Sequence, residues 1–214
     1  EMTSSLVGSE MCIRDRKIIA NVAGNAPEDY CATVEKLNDT CVDMVELNIS
    51  CPNVKQGGVQ FGTTCEGVFG ITSEVRKHCK KPLMVKLSPN VTDISEMAVA
   101  AESAGADAVS MINTLTGMRI DIHTKRPILH NNTGGFSGPA LLPIALRMVW
   151  QTAGKIKIPI VGLGGISTWQ DAVEMLLAGR LHCRSVRCSL PTPMPPSKFV
   201  RVSASIWIRM VSKA

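Results

Sequence analysis

Met44-Val45-Glu46-Leu47-Asn48-Ile49-Ser50-Cys51-Pro52-Asn53 is an apolar run that closes on a thiol held between two carboxamides. A run apolar on both faces predicts a buried strand of a parallel sheet covered by helices, and the polar groups stand where that strand ends. That end of the sheet is where α/β proteins keep their chemistry. A thiol there can take a proton from carbon once a neighbouring positive charge or dipole lowers its pKa from about 8.5. The flanking asparagines can hold a flat polar ring in register.

Outward from this strand (43–49) the same grammar repeats. Upstream lie a strand at 17–23 and a helix from Pro27-Glu28-Asp29 to Asn38. Downstream come a Gly-rich loop (56–62), a helix to His78, a strand at 83–87, a helix at 92–104 and a strand at 106–112. After a long connection follow a helix at 141–152, a strand at 158–163 and a helix opened by Ser167-Thr168. Strands alternating with helices of this size predict βαβ units. Five to six such units are fewer than the eight of a closed barrel, and a doubly wound sheet fits the pattern as well. The polar residues decide: Asn21, Asn48 with Cys51, Lys86, Asn113 with Thr114, and Gly164-Gly165 follow nearly every strand. A barrel brings all its strand ends to one mouth, whereas an open sheet concentrates its site at one switch point. The expected fold class is therefore α/β, an incomplete (β/α)8 TIM barrel over 17–179.

Both ends depart from this pattern. Residues 1–16 show neither period 2 nor period 3.6 and are expected to be adaptor-like, non-native sequence, with a native extension as the competing reading. After Leu177-Ala178-Gly179 the composition turns to Arg, Cys, Ser and Pro, with four prolines between Pro191 and Pro196, which is expected to stop the βα pattern. A shifted reading of the degenerate codons for Arg180–Val202 permits Ala-Ala-Ala-Leu-Gln-Val-Gly-Ala-Val-Phe and then Asn-Pro-Tyr-Ala-Pro-Ile-Lys-Val-Arg-Glu-Gly. Residues 180–214 are accordingly expected to be a frameshifted tail; the competing reading is a genuine Pro-rich one.

The net charge of +5 lies in the ends: 180–214 carry +7 and 1–16 carry −1, leaving −1 for the middle. A near-neutral middle gives no footprint for a phosphate backbone, so no nucleic-acid partner is expected. No uninterrupted apolar stretch approaches 18 residues, so no membrane span is expected either. Eight cysteines scattered singly, without a C-x-x-C pair or a secretory signal, predict reduced thiols in a cytoplasmic protein. The four histidines, at 78, 123, 130 and 182, have no metal-type spacing, and no metal is expected.

Lys86 closes a buried strand, where an ammonium needs an anionic partner, either a bound ligand or a carboxylate such as Glu46. The Gly162-Leu163-Gly164-Gly165 turn lets backbone approach a ligand, and the helix behind it can offer N–H groups to a phosphate. It lacks the G-x-G-x-x-G spacing of dinucleotide folds. Asn113 and Thr114 open the long connection to Ala140, a length that is usually functional or disordered. Its Gly138 can expose a backbone N–H.

Several of these stretches together resemble dihydroorotate dehydrogenase: Ile19–Gly24, Glu46–Lys55 with Gly57-Gly58 and Phe61-Gly62, Val85–Pro89, Asn113-Thr114 and Gly134–Ala140. Cysteine at position 51 resembles class 1 of that family, and Lys55, Gly57-Gly58 and the 113–140 text resemble its NAD-linked subclass, class 1B. The resemblance implies an FMN-binding catalytic subunit that oxidises dihydroorotate to orotate in pyrimidine synthesis. It implies Cys51 as base, Asn48, Asn113 and Thr114 on the pyrimidine, and Asn21, Asn48, Lys86, Ile112, Gly138, Gly164 and Gly165 on FMN. It also implies a partner subunit carrying FAD and a [2Fe-2S] cluster, in a heterotetramer. The family's first two barrel strands have no counterpart upstream of Lys17, and its final phosphate turn falls near Ser185 to Arg187 only in the shifted frame. The chain is therefore expected to turn over little or not at all by itself. Two further readings compete: the flavin barrel of dihydropyrimidine dehydrogenase, and a non-functional gene fragment.

Overall fold

The computed structural model describes residues 17–50, 61–180 and 186–188. Residues 1–16, the Cys51–Gln60 loop and the rest of the tail, on which several expectations fall, lie outside the described residues.

The chain alternates β1 (Ile19–Val22), α1 (Pro27–Asn38), β2 (Met44–Asn48), α2 (Cys65–His78), β3 (Leu83–Lys86), α3 (Ile94–Ser103) and β4 (Ala108–Met111). Four short strands follow, β5 (Leu115–Gly117), β6 (Ile120–Asp121), β7 (Arg126–Pro127) and β8 (Gly134–Phe136). The series closes with α4 (Leu142–Ala153), β9 (Ile160–Gly162), α5 (Trp169–Arg180) and β10 (Val186–Cys188). The main sheet is parallel and runs in chain order, β1-β2-β3-β4-β9-β10. Among the described residues it is an open arc with β1 and β10 at its edges. Helix positions agree closely with the sequence expectation, while each strand is shorter by one or two residues at its ends, where pairing stops.

Two expectations need correction. The tail was expected not to continue the βα pattern, yet Val186–Cys188 pairs with β9, Val186 opposite Ile160. Three residues ahead of the first tail proline, Pro191, suffice for a short strand. The 113–140 connection is neither one loop nor unstructured: β5 pairs antiparallel with β8 and β6 with β7. Glycine at 135 allows the β8 backbone to lie against the Thr114 side chain, which a Cβ at that position would strike.

Strand alternation sorts the side chains. Val45, Leu47, Val85 and Val109 are fully buried and pack beneath the helices with Val34, Val68, Val75 and Ala98. Glu46, Asn48, Lys86 and Ser110 share the other face, Asn48 opposite Lys86 and Lys86 opposite Ser110.

The amino-terminal ends of the strands are tied by polar clasps. Arg76 of α2 reaches Asp107 at 2.9 Å, the Lys81 carbonyl at 2.9 Å and the Cys79 carbonyl, while Asp107 also accepts from the Leu83 N–H at 2.8 Å. Asn38 bridges the His78 carbonyl and the Lys80 N–H, and Asp43 accepts from Ile18 N–H and Lys17. Cys31, Cys65 and Cys79 are free thiols, but exposed Cys41 is disulfide-bonded, correcting its expected reduced state.

Asp93 caps α3, accepting from the Ser95 N–H at 2.9 Å and from Ser95 Oγ, and pairs with Lys155 at 3.0 Å. These bonds, that from the Ser95 hydroxyl foremost, lower its pKa to about 2. A carboxylate depressed in the folded state stabilises above its unfolded pKa and loses that contribution as pH falls through the folded value. Asparagine keeps the cap, so Asp93→Asn is expected to cost about 0.5–1 kcal/mol near neutrality, the worth of the charge lost opposite Lys155 and the helix amino terminus. The gap from the parent should shrink as pH drops from about 4 towards 2, read from denaturant melts along that range. A gap independent of pH would contradict the assignment.

Candidate functional site

The sequence-predicted groups collect at the carboxyl ends of the strands. Asn21 ends the exposed part of β1, Asn48 ends β2, Lys86 ends β3, Ile112, Asn113 and Thr114 follow β4, and Gly164 and Gly165 follow β9. A cleft of about 410 Å³ opens there, lined by Lys86, Ile112, Asn113, Thr114, Gly138, Gly164 and Gly165. Asn21 and Asn48 do not line it but are joined to it by hydrogen bonds. Cys51 lies outside the described residues; its neighbour Ser50 is buried and donates from Oγ to Asn48 Oδ1 at 3.1 Å.

From Ser50 the network spreads both ways. Asn113 Nδ2 donates to Ser50 Oγ at 2.7 Å and to the Ser50 carbonyl at 3.2 Å, and Asn113 Oδ1 accepts from the Thr114 N–H at 2.7 Å. Asn90 donates to the Thr114 carbonyl at 3.0 Å and accepts from the Thr116 N–H at 2.9 Å, fastening the root of β5 to the loop after β3. In the other direction, Asn48 Nδ2 donates to Asn21 Oδ1 at 3.3 Å, and Asn21 Nδ2 donates to Glu46 Oε2. Tyr30, fully buried, donates to the Asn48 carbonyl at 3.2 Å and locks that strand end against α1.

Lys86 has no hydrogen-bond or ion-pair partner among the described residues. Of its two expected partners, Glu46 is engaged elsewhere, accepting from Asn21 and, at 2.6 Å, from the Ser110 hydroxyl. An ammonium facing a cleft without a counter-charge makes that cleft receptive to an anionic ligand.

The two N–H groups just ahead of α5, those of Ser167 and Thr168, both donate to Asp171 Oδ2 at 2.8 Å, and these bonds hold the Asp171 carboxyl below its usual range. The N–H groups left for a phosphate are those of Gly164 and Gly165 and, in the first turn of the helix, Trp169 and Gln170, which have no partner among the described residues. Gly138, at φ +123°, has no atom within 4 Å of where its Cβ would stand, so the side chain it lacks would occupy the cleft.

The sequence reading missed Glu46 as an acceptor for Asn21, along with Ser110, Ser50 and Asn90. A signal for two of these was present: Glu46 and Ser110 are polar residues inside otherwise apolar strands, where each needs a partner. Among the described residues, no helix is long and apolar enough to cross a membrane.

Residues 5–185 match the protein family described as dihydroorotate dehydrogenase. The catalytic subunit of dihydroorotate dehydrogenase B (NAD(+)) from Alkaliphilus oremlandii is 58% identical over 165 residues, covering 77% of this chain and 55% of that protein. The subunit of the same name from Bacteroides fragilis is 61% identical over 163 residues, covering 76% and 54%. That from Phocaeicola vulgatus is 52% identical over 197 residues, covering 91% and 64%. The chain thus spans little more than half the length of the first two relatives. Among solved structures, a chain of the Amycolatopsis orientalis BexX/CysO complex superposes with a TM-score of 0.52 at 14% identity, covering 92% of this chain and 69% of that one, a likeness of fold alone.

Proposed function

Since the chain belongs to the dihydroorotate dehydrogenase family, we propose that it forms part of the FMN-binding catalytic subunit of an NAD-linked enzyme, oxidising dihydroorotate to orotate for pyrimidine nucleotide synthesis in the cytoplasm. The observation that carries this reading is Lys86, without a partner among the described residues, lining a cleft together with glycines and Asn113. In this reading the parallel arc is a segment of a closed (β/α)8 barrel. Electrons leave through a partner subunit holding FAD and a [2Fe-2S] cluster, in a heterotetramer.

The residues present fit FMN. Lys86 supplies a cation for the electron-rich edge of the ring, and the absence of a Cβ at Gly138 leaves room inside the cleft. The N–H groups of Gly164 and Gly165 suit a phosphate. FMN, when bound, supplies the hydride acceptor. Everything else falls to the chain. Asn48, Asn113 and Thr114 hold the pyrimidine ring, fixing the angle at which its C5 meets the base. Cys51 Sγ, as thiolate, takes the C5 proton while hydride leaves C6 and the C5–C6 double bond forms. Lys86 would hold the electron-rich edge of the ring and offset negative charge there.

Titrating the chain with FMN and following quenching of flavin fluorescence tests this reading. Saturable binding is expected, and its absence overturns the reading. Lys86→Met is expected to weaken binding by about 10–100-fold, the worth of a hydrogen bond to a charged group. It should leave the thermal stability of the ligand-free chain unchanged or raised, because Lys86 has no partner to lose among the described residues. Unchanged FMN affinity in Lys86→Met would remove that residue from the site.

A further inference from the structure

Four hydrogen bonds run head to tail across the strand ends: Asn113 Nδ2 to Ser50 Oγ, Ser50 Oγ to Asn48 Oδ1, Asn48 Nδ2 to Asn21 Oδ1, and Asn21 Nδ2 to Glu46 Oε2. Every donor in this chain points towards Glu46. The oxygen and nitrogen of a carboxamide are nearly isosteric, so two asparagines in series can turn over together and build an equally dense network of reversed polarity. The Ser50 N–H opposes the reversal only through a long bond of 3.4 Å to Asn48 Oδ1, so the degeneracy is broken chiefly by an end group that cannot donate. Glu46 is such a group: reversal would set Asn21 Oδ1 against a carboxylate oxygen, acceptor on acceptor. The carboxylate cannot swing away, because Oε1 is held at 2.6 Å by the hydroxyl of fully buried Ser110.

We infer that Glu46 is a positioning residue that fixes which way the Asn21 and Asn48 carboxamides face, so that the strand ends offer a ligand N–H donors and not carbonyl oxygens. Asn48 Oδ1 is spent on the Ser50 N–H and hydroxyl, and Asn21 Oδ1 on Asn48. Each carboxamide keeps one N–H without a partner among the described residues. With the Lys86 ammonium opposite Asn48 in register, the strand ends beside the cleft present donors. They select ring edges bearing carbonyl oxygens or unprotonated nitrogens and penalise amino-bearing edges, which would face donor with donor. That the ring is a pyrimidine or flavin rests on the function proposed above; the polarity of the chain does not.

The test moves the carboxylate along the chain. In protein labelled with 15N-asparagine, exchange of the Asn48 carboxamide protons with water is measured without ligand, and orotate is then added to the same samples. Glu46→Leu removes the terminal acceptor, and Asn48 exchange is expected to speed up roughly tenfold, with orotate binding weakened by a similar factor. In Asn21→Asp/Glu46→Gln the acceptor-only group sits at position 21. The carboxamide introduced at position 46 can then accept from Ser110 and donate to the carboxylate at position 21, whose second oxygen receives Asn48. Protection of Asn48 is expected to return, a rescue that a merely structural role for the Glu46 carboxylate does not give. Should Glu46→Leu fail to fold, the double variant decides alone: Asn48 protected as in the parent supports the inference, and free exchange overturns it. Parent-like exchange in Glu46→Leu overturns it as well. If the parent fails to bind orotate while the exchange pattern holds, the polarity stands and the proposed function falls.

Discussion

Replacing Cys51 with alanine is expected to slow dihydroorotate oxidation by about 10²–10⁴-fold, the usual contribution of a positioned general base. The measurement suits a chimera in which the preceding segment of the Alkaliphilus oremlandii subunit is joined to this chain, with bleaching of bound flavin followed in single turnover. A proton on carbon beside a carbonyl does not leave to water at a useful rate, so the loss should fall on the reductive step and leave orotate affinity nearly unchanged. Cys51→Ser makes a sharper comparison. A thiol ionises near pH 8.5 unless shifted, and its rate should level off once the thiolate is formed. A hydroxyl stays protonated throughout that range, so the serine variant should be slow at neutrality and keep gaining as pH rises. Equal rates for parent and alanine variant would remove Cys51 from the chemistry.

Gly165→Ala is expected to lower stability by about 2–5 kcal/mol, the sum of left-handed strain and overpacking. Gly165 has φ +75°, and a Cβ there would stand 2.6 Å from Leu142 Cα, against the backbone that begins α4. Backbone cannot yield as a side-chain tip can, so α4 or the β9 turn must move. For a chain of this size the thermal midpoint should fall by about 5–15 °C. Gly138→Ala is the natural control. Its φ of +123° carries strain, but its Cβ meets nothing within 4 Å, so the damage should appear mainly as weaker FMN binding. If both variants melt alike, the close approach of the β9 turn to α4 does not govern stability.

How far the sequence foretells this structure depends on the range of the interactions involved. The parallel strands were legible because Met44–Leu47, Leu83–Val85 and Ala106–Met111 are short, mostly apolar runs interrupted only by Glu46, Asp107 and Ser110, a local property. Asn48, Lys86, Asn113 and Gly164 could be placed at one end of the sheet for the same reason, since each follows its strand directly. What stayed hidden depends on registration between distant segments. That Glu46 meets Asn21 and Ser110, 25 and 64 residues away, follows from pairing register, not from spacing. The β5–β8 ladder joins residues about twenty apart through strands of three, too short for alternation to show. The cap of α5 shows the converse: Thr168 and Asp171 are three residues apart, so their reciprocal bonds were open to a local reading that overlooked them.

The Arg76 clasp, the Asn38 bridge and the Asp43 anchor all lie at the amino-terminal ends of the strands, while the carboxamide chain and the cleft lie at the carboxyl-terminal ends. Cohesion and recognition therefore occupy opposite poles of one sheet, separated by a layer of buried valines. Such a division lets the recognition pole drift through generations of substitution while the scaffold beneath keeps its shape, so new ligand preferences can evolve without first reinventing the fold.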